Sequence, residues 1–183
     1  MASSTEMARR PALEGRSGVH PWVSVTAAEP AYRLSLRAPE ESVAALSKAL
    51  GLTLPQKPKT SARKGKRVAL WLGPDEWMVI DPTGAKLSTP LNKVTAFHSC
   101  VDISHRNTAI IVSGAGAQAT LSSGCPQDLS LEAFPVGACS RTVLAKIEIV
   151  LLRTAEDAFR VECWRSFSDY AFAFLEDAAR DAA

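Results

Sequence analysis

His98, Cys100, Asp102 and His105 are all metal-capable types, four within eight positions. On a strand, positions 98, 100 and 102 project from one face and could converge on an ion. Structural zinc favours four ligands with thiolate pairs, and the four cysteines, Cys100, Cys125, Cys139 and Cys163, contain no C-x-x-C pair. Nucleophilic chemistry is a second reading, because a Cys and a His can meet in space without being neighbours in sequence. Around Cys100 and Cys163, however, there is no small-residue helix start or adjacent base to lower a thiol pKa. Asp102, His105 and Arg106 read better as a polar network that fixes a turn and shapes a contact surface. Gly114-x-Gly116-x-x-Ala119 sits where a dinucleotide fingerprint would open a helix. The apolar strand and acid that a nucleotide fold needs about 20 residues on are replaced by Cys125-Pro126 and the short Leu129-Ser130-Leu131. The glycines then serve a tight strand-to-helix turn.

Arg141, Arg153, Arg160 and Arg165 fall on or beside apolar runs, where arginine suits bidentate pairing with carboxylates inside the fold or across an interface. Trp164 adjoins Arg165, and Trp with Arg forms the energetic centre of many interfaces. Trp22 is a further contact candidate, since an isolated indole in water is unfavourable. The expected contact residues are therefore Trp22, Asp102, His105, Arg106, Trp164 and Arg165, with no catalytic, cofactor or metal residue assigned.

The elements that must position these groups follow from length and pattern. A chain of 183 residues fits one domain, burying roughly 70% of its unfolded surface without a disulfide or metal. A net charge of +2 is too small to imply a nucleic-acid partner. No run approaches the roughly 20 apolar residues that span a bilayer. Met1 to Glu14 lacks a signal-peptide core, so a cytoplasmic protein with buried thiols is expected. Residues 1–30 read as an arm ordered by packing on the domain surface or a neighbouring chain, and residues 31–183 as the domain.

Tyr32 to Leu36 alternates as a strand, and a helix follows from Pro39-Glu40-Glu41 to Gly51. Thr53 to Arg67 carries six cations and no acid and reads as a solvated cationic loop, with anion binding as the alternative. Val68–Leu72 and Trp77–Asp81 flank turn residues and predict a hairpin. Ala96–Ile103 and Thr108–Ser113 read as strands joined at Ser104-His105-Arg106, followed by a short helix to about Ser122. Three strands are expected at 141–147, 148–154 and 158–163. The last helix has an apolar stripe at Phe167, Tyr170, Ala171, Phe174, Leu175 and Ala178, with Ser166-x-x-Asp169 as its capping box. The order predicts an α+β fold, antiparallel sheet with helices packed on one face.

Val101-Asp102-Ile103-Ser104-His105 with the strand to Ser113-Gly114, Leu72-Gly73-Pro74-Asp75-Glu76-Trp77, Gly124-Cys125-Pro126-Gln127-Asp128-Leu129 and Cys163 through Tyr170 together resemble the gamma subunits of heterotetrameric sarcosine oxidase, over roughly Tyr32 to Arg180. That family looks like a reduced relative of the folate-binding aminomethyltransferases, whose fold it implies. In those enzymes a hairpin tip carries an acid for folate chemistry, whereas Thr142 to Val150 has no such tip. The resemblance implies a non-catalytic structural subunit of a complex that oxidatively demethylates sarcosine to glycine, with hydrogen peroxide and formaldehyde or methylene-tetrahydrofolate. It places FAD, FMN, NAD, zinc and tetrahydrofolate on the partners, the alpha, beta and delta subunits, and none in this chain. The alternatives are a folate-binding aminomethyltransferase-like enzyme and the equivalent subunit of an N-methylglutamate dehydrogenase.

Overall fold

The structure, a computed structural model, describes residues 10–182. Its strands form two antiparallel sheets. The six-stranded sheet contains β1 (Ser17–Val19), β2 (Ser24–Ala27), β8 (Asn107–Ser113), β9 (Cys139–Leu144), β10 (Ile147–Ala155) and β11 (Ala158–Trp164), in the order β1-β2-β8-β11-β10-β9. The five-stranded sheet contains β3 (Tyr32–Arg37), β4 (Ser61–Lys64), β5 (Arg67–Gly73), β6 (Glu76–Asp81) and β7 (Ser99–Asp102), in the order β4-β5-β6-β3-β7. Helices α1 (Val43–Leu50) and α2 (Ser88–Leu91) pack with the second sheet, and α3 (Ala117–Ser122) and α4 (Ser168–Asp181) with the first.

Strand alternation sorts the apolar residues into three cores. Phe159, Val161 and Cys163 of β11 and Ile149 and Leu151 of β10 face α3 and α4. Leu34 and Leu36 of β3 and Trp77 and Val79 of β6 face α1 and α2. Val68, Leu70, Met78 and Ile80 of one sheet meet Val150, Leu152 and Cys139 of the other. Each sheet thus carries helices on one face and the opposite sheet on its other face. The expected α+β class with antiparallel pairing holds, and the strands divide between two sheets.

The arm expected over 1–30 is corrected from residue 13 onward; residues 1–9 lie outside the described residues. Leu13, Val23 and Val25 are buried, and β2 pairs with β8 through Val25 and Val112. Arg16 reaches across to α4, its guanidinium 4.6 Å from the Phe172 ring and 2.6 Å from Asp169. β1 has three residues centred on Gly18 and β2 four between Pro21 and Pro30, too short to give a period in sequence. The cationic loop 53–67 is likewise corrected, since residues 61–64 form the edge strand β4 on β5. Cations suit that position, because charge on an edge strand opposes pairing with other chains. Arg67 is drawn inward, its Nε donating to Asp81 at 2.8 Å.

Gly114 shows why a glycine stands at the end of β8. Its φ is +113°, and a Cβ there would lie 2.5 Å from the Trp22 carbonyl oxygen. The Gly116 N–H donates to that same carbonyl at 2.9 Å, so the glycine pair docks the segment before β2 onto α3.

The apolar stripe of α4 is rotated from its predicted phase. A 3-10 turn at Arg165–Phe167 precedes the helix, which begins at Ser168. Ala171, Phe172, Leu175 and Ala179 are buried, Phe174 is half-buried, and Phe167 and Tyr170 are largely exposed. No capping box forms: Asp169 pairs with Arg16, and the Ser168 hydroxyl donates to the Arg165 carbonyl at 2.8 Å. Phe172→Ala should therefore cost about 3–5 kcal/mol in denaturant unfolding of the full chain, as expected for a fully buried ring. Tyr170→Ala should leave the midpoint nearly unchanged; equal losses from the two would return the helix to the predicted phase.

Candidate functional site

Because Leu34 and Leu36 point toward the helices, Arg33 on β3 must point toward the other sheet. Phe159, Val161 and Cys163 likewise turn Arg160, Glu162 and Trp164 of β11 to the opposite side. Arg33 and Glu162 meet there, with side chains only 4% and 1% exposed. Arg33 Nε donates to Glu162 Oε2 at 2.6 Å and Nη1 donates to the Ala31 carbonyl at 3.0 Å. Arg160 Nε donates to Glu162 Oε1 at 2.8 Å. One carboxylate thus serves two guanidinium groups from two sheets.

The backbone of the same Arg33 organises the link from β7 to β8. Its N–H donates to Ser104 Oγ at 2.9 Å, and its carbonyl accepts the Ile103 N–H at 2.9 Å. Asp102 Oδ1 accepts the Ser104 N–H at 2.9 Å and hydroxyl at 2.6 Å. Burial pushes the Asp102 carboxyl up, but the bonds from Ser104, the charge of His105 and a bond from Tyr32 together hold it below the usual carboxylate range. The chain closes through Arg106 and Asn107 N–H groups donating to the Ile103 carbonyl at 3.0 Å.

Beyond the turn, Arg106 parts from Asp102. Its Nε donates to Asn107 at 3.1 Å and its guanidinium lies 5.5 Å from the centre of the Trp164 ring. Trp164 stacks on Phe167, with centroids 6.0 Å apart and planes 20° from parallel. The Arg165 N–H donates to the Arg106 carbonyl at 2.7 Å, and its Nη2 donates to the Arg10 carbonyl at 2.9 Å. The structure therefore gathers Asp102, His105, Arg106, Trp164 and Arg165 around one crossover. Trp22 lies apart, at the Ser113 end of β8, roughly 20 Å along the strand from the Asn107 end.

The remaining sequence candidates are separated. His98 Nδ1 is 2.7 Å from the Ala96 carbonyl, the Cys100 thiol points to Asn92, and among the described residues no three His, Cys, Asp or Glu side chains converge as for a metal. Burial pushes the Cys139 and Cys163 thiols up to about 12, far from thiolate chemistry. Among the four flagged arginines, Arg141 pairs with Glu76 and Arg160 with Glu162. Among the described residues, neither Arg153 nor Arg165 forms an ion pair with a carboxylate. Arg153 is fully buried, with Nη2 donating to the Leu129 carbonyl at 2.6 Å and its guanidinium 4.5 Å from the Phe159 ring. Sequence reading missed Arg33 and Glu162, although each is a charged residue inside an alternating or apolar strand.

Comparison with known proteins first defines the class. The chain shares the fold of an aminomethyltransferase of the glycine cleavage system from Bartonella henselae, with a TM-score of 0.65 and 14% identity over 87% of this chain and 49% of that one. The β9–β10 turn of this chain carries Ala145 and Lys146.

The nearer likeness fixes the family. A family model for the sarcosine oxidase gamma subunit family matches residues 36–181, and the chain belongs to that family. Sarcosine oxidase gamma subunits from Corynebacterium sp. strain P-1 and an Arthrobacter species are each 36% identical over 74% of this chain and 68% of the relative. A chain of heterotetrameric sarcosine oxidase from Corynebacterium sp. U-96 superposes with a TM-score of 0.85 and 28% identity over 93% of this chain and 90% of that one.

Removing the shared carboxylate tests the clamp. Glu162→Ala should cost about 3–5 kcal/mol in urea unfolding, because it leaves buried guanidinium charge without its partner. A loss below about 1 kcal/mol would show that the clamp adds little to stability.

Proposed function

We propose that the chain is the gamma subunit of a heterotetrameric sarcosine oxidase and acts there as a structural subunit without an active site of its own. The observation that carries this is the aromatic group at the crossover. Trp164 and Phe167, 42% and 40% exposed, stack on each other, and the Trp164 ring lies 5.5 Å from the Arg106 guanidinium. Such a group in water is unfavourable, and its composition is that of an interface centre. The likeness over nearly the whole chain to a component of a heterotetramer supports the same reading.

On this reading the complex oxidatively demethylates sarcosine to glycine, giving hydrogen peroxide and formaldehyde or methylene-tetrahydrofolate. FAD, FMN, NAD, zinc and tetrahydrofolate reside on the alpha, beta and delta subunits, and the complex works in the cytoplasm. The buried thiols and the acid-free β9–β10 turn are consistent with a chain that leaves the chemistry to its partners. No helix among the described residues is long and apolar enough to cross a membrane. Asp102 and His105 shape the turn, while Arg106, Trp164 and Arg165 present the contact; Trp22 forms a separate contact at the other end of β8.

Co-purification with the other subunits tests the proposal. Trp164→Ala should weaken association by about 2 kcal/mol or more, roughly thirty-fold, with turnover per assembled complex retained. A variant that assembled normally and lost turnover would place the cluster in the chemistry. Normal assembly with normal turnover would remove it from the interface.

A further inference from the structure

A cavity of about 210 Å³ lies behind the crossover, between β3, the turn before β8 and the chain segments around residues 10–12 and 28–31. Arg33, Arg10, Arg165 and His105 all line it, and among the described residues the acid that lines it is Glu29. Its wall is braced, because Arg165 Nη2 holds the Arg10 carbonyl. Pro11 and Pro30, which line it too, stiffen its cover.

The charge of its buried part is unbalanced. Glu162 is shared by Arg33 and Arg160, so the three side chains together carry one uncompensated positive charge. An excess charge in a low-dielectric interior is costly, and an anion against the Arg33 side of the cavity relieves it. Arginine forks match the planar, two-oxygen geometry of a carboxylate. Glu29 opposes a dianion such as phosphate and leaves a singly charged group favoured.

We infer that this cavity is a carboxylate-binding site, filled by a small free acid or by a carboxylate of a neighbouring chain. Arg165 and His105 form its outer wall and Arg33 its buried end. The inference is independent of the subunit role in its first experiment and rests on that role only in the second.

Sodium acetate titrated into the full chain at constant ionic strength, followed by amide NMR, tests the site. Saturable shifts at His105, Asn107 and Arg165 are expected, with chloride at the same strength giving none that saturate. Arg165→Gln alters an exposed side chain and spares the Glu162 clamp, so it should keep the melting temperature while weakening acetate binding about tenfold or more. If it unfolds instead, His105→Ala carries the same expectation. No saturable response in the parent chain, or undiminished binding in the folded variant, overturns the inference. Repeating the titration on the assembled complex separates the sources. Binding retained there assigns the site to a free acid, and binding lost on assembly assigns it to a partner's carboxylate.

Discussion

A buried carboxylate, Glu162, ties the two sheets together. It lies on β11, between β8 and β10, and takes one guanidinium from its own strand and one from β3 of the opposite sheet. Removing two charges from water is expensive, and the pairing offsets that cost only with close, well-directed bonds. The geometry here supplies them. Arg33 is also the backbone anchor of the link from β7 to β8, through its N–H to Ser104 and its carbonyl to Ile103. The residue that clamps the interior therefore also sets the turn at the surface. From the turn, the Arg106 carbonyl receives the Arg165 N–H and fixes the start of the final helix, with Trp164 stacked beneath Arg106.

Much of this was readable where pattern is dense. The β5–β6 hairpin, the strands on either side of Ser104-His105-Arg106, and the run of three strands before α4 all have alternation long enough to detect. The gathering of Asp102, Arg106, Trp164 and Arg165 was anticipated only as a list of contact residues. What hid was non-local. Whether β7 and β8 share a sheet depends on partners far away in sequence, and here β7 pairs with β3 while β8 pairs with β2 and β11. The Arg33–Glu162 contact spans 129 positions. The short N-terminal strands carry too few apolar positions to signal themselves, and in α4 the sheet takes up Phe172, outside the expected stripe, as the buried ring.

The polar and aromatic groups of this chain have distinct places in the fold. Three of its cysteines are buried, two with thiols held far from ionisation. The turn between β9 and β10 consists of Ala145 and Lys146. Polar residues are spent on internal ties, Arg67 to Asp81, Arg141 to Glu76 and Arg33 to Glu162. The aromatic groups that a core would take up are displayed instead at the crossover. A rigid two-sheet body carrying an exposed aromatic and arginine surface is suited to holding other chains.

Hydrogen exchange of the free chain beside the assembled complex addresses the central claim most directly. Assembly should slow exchange at residues 104–107 and 164–170, with the clamp region around Arg33 and Glu162 already protected in the free chain. Unchanged exchange at the crossover, with new protection on another face, would contradict the assignment of this surface to subunit contact.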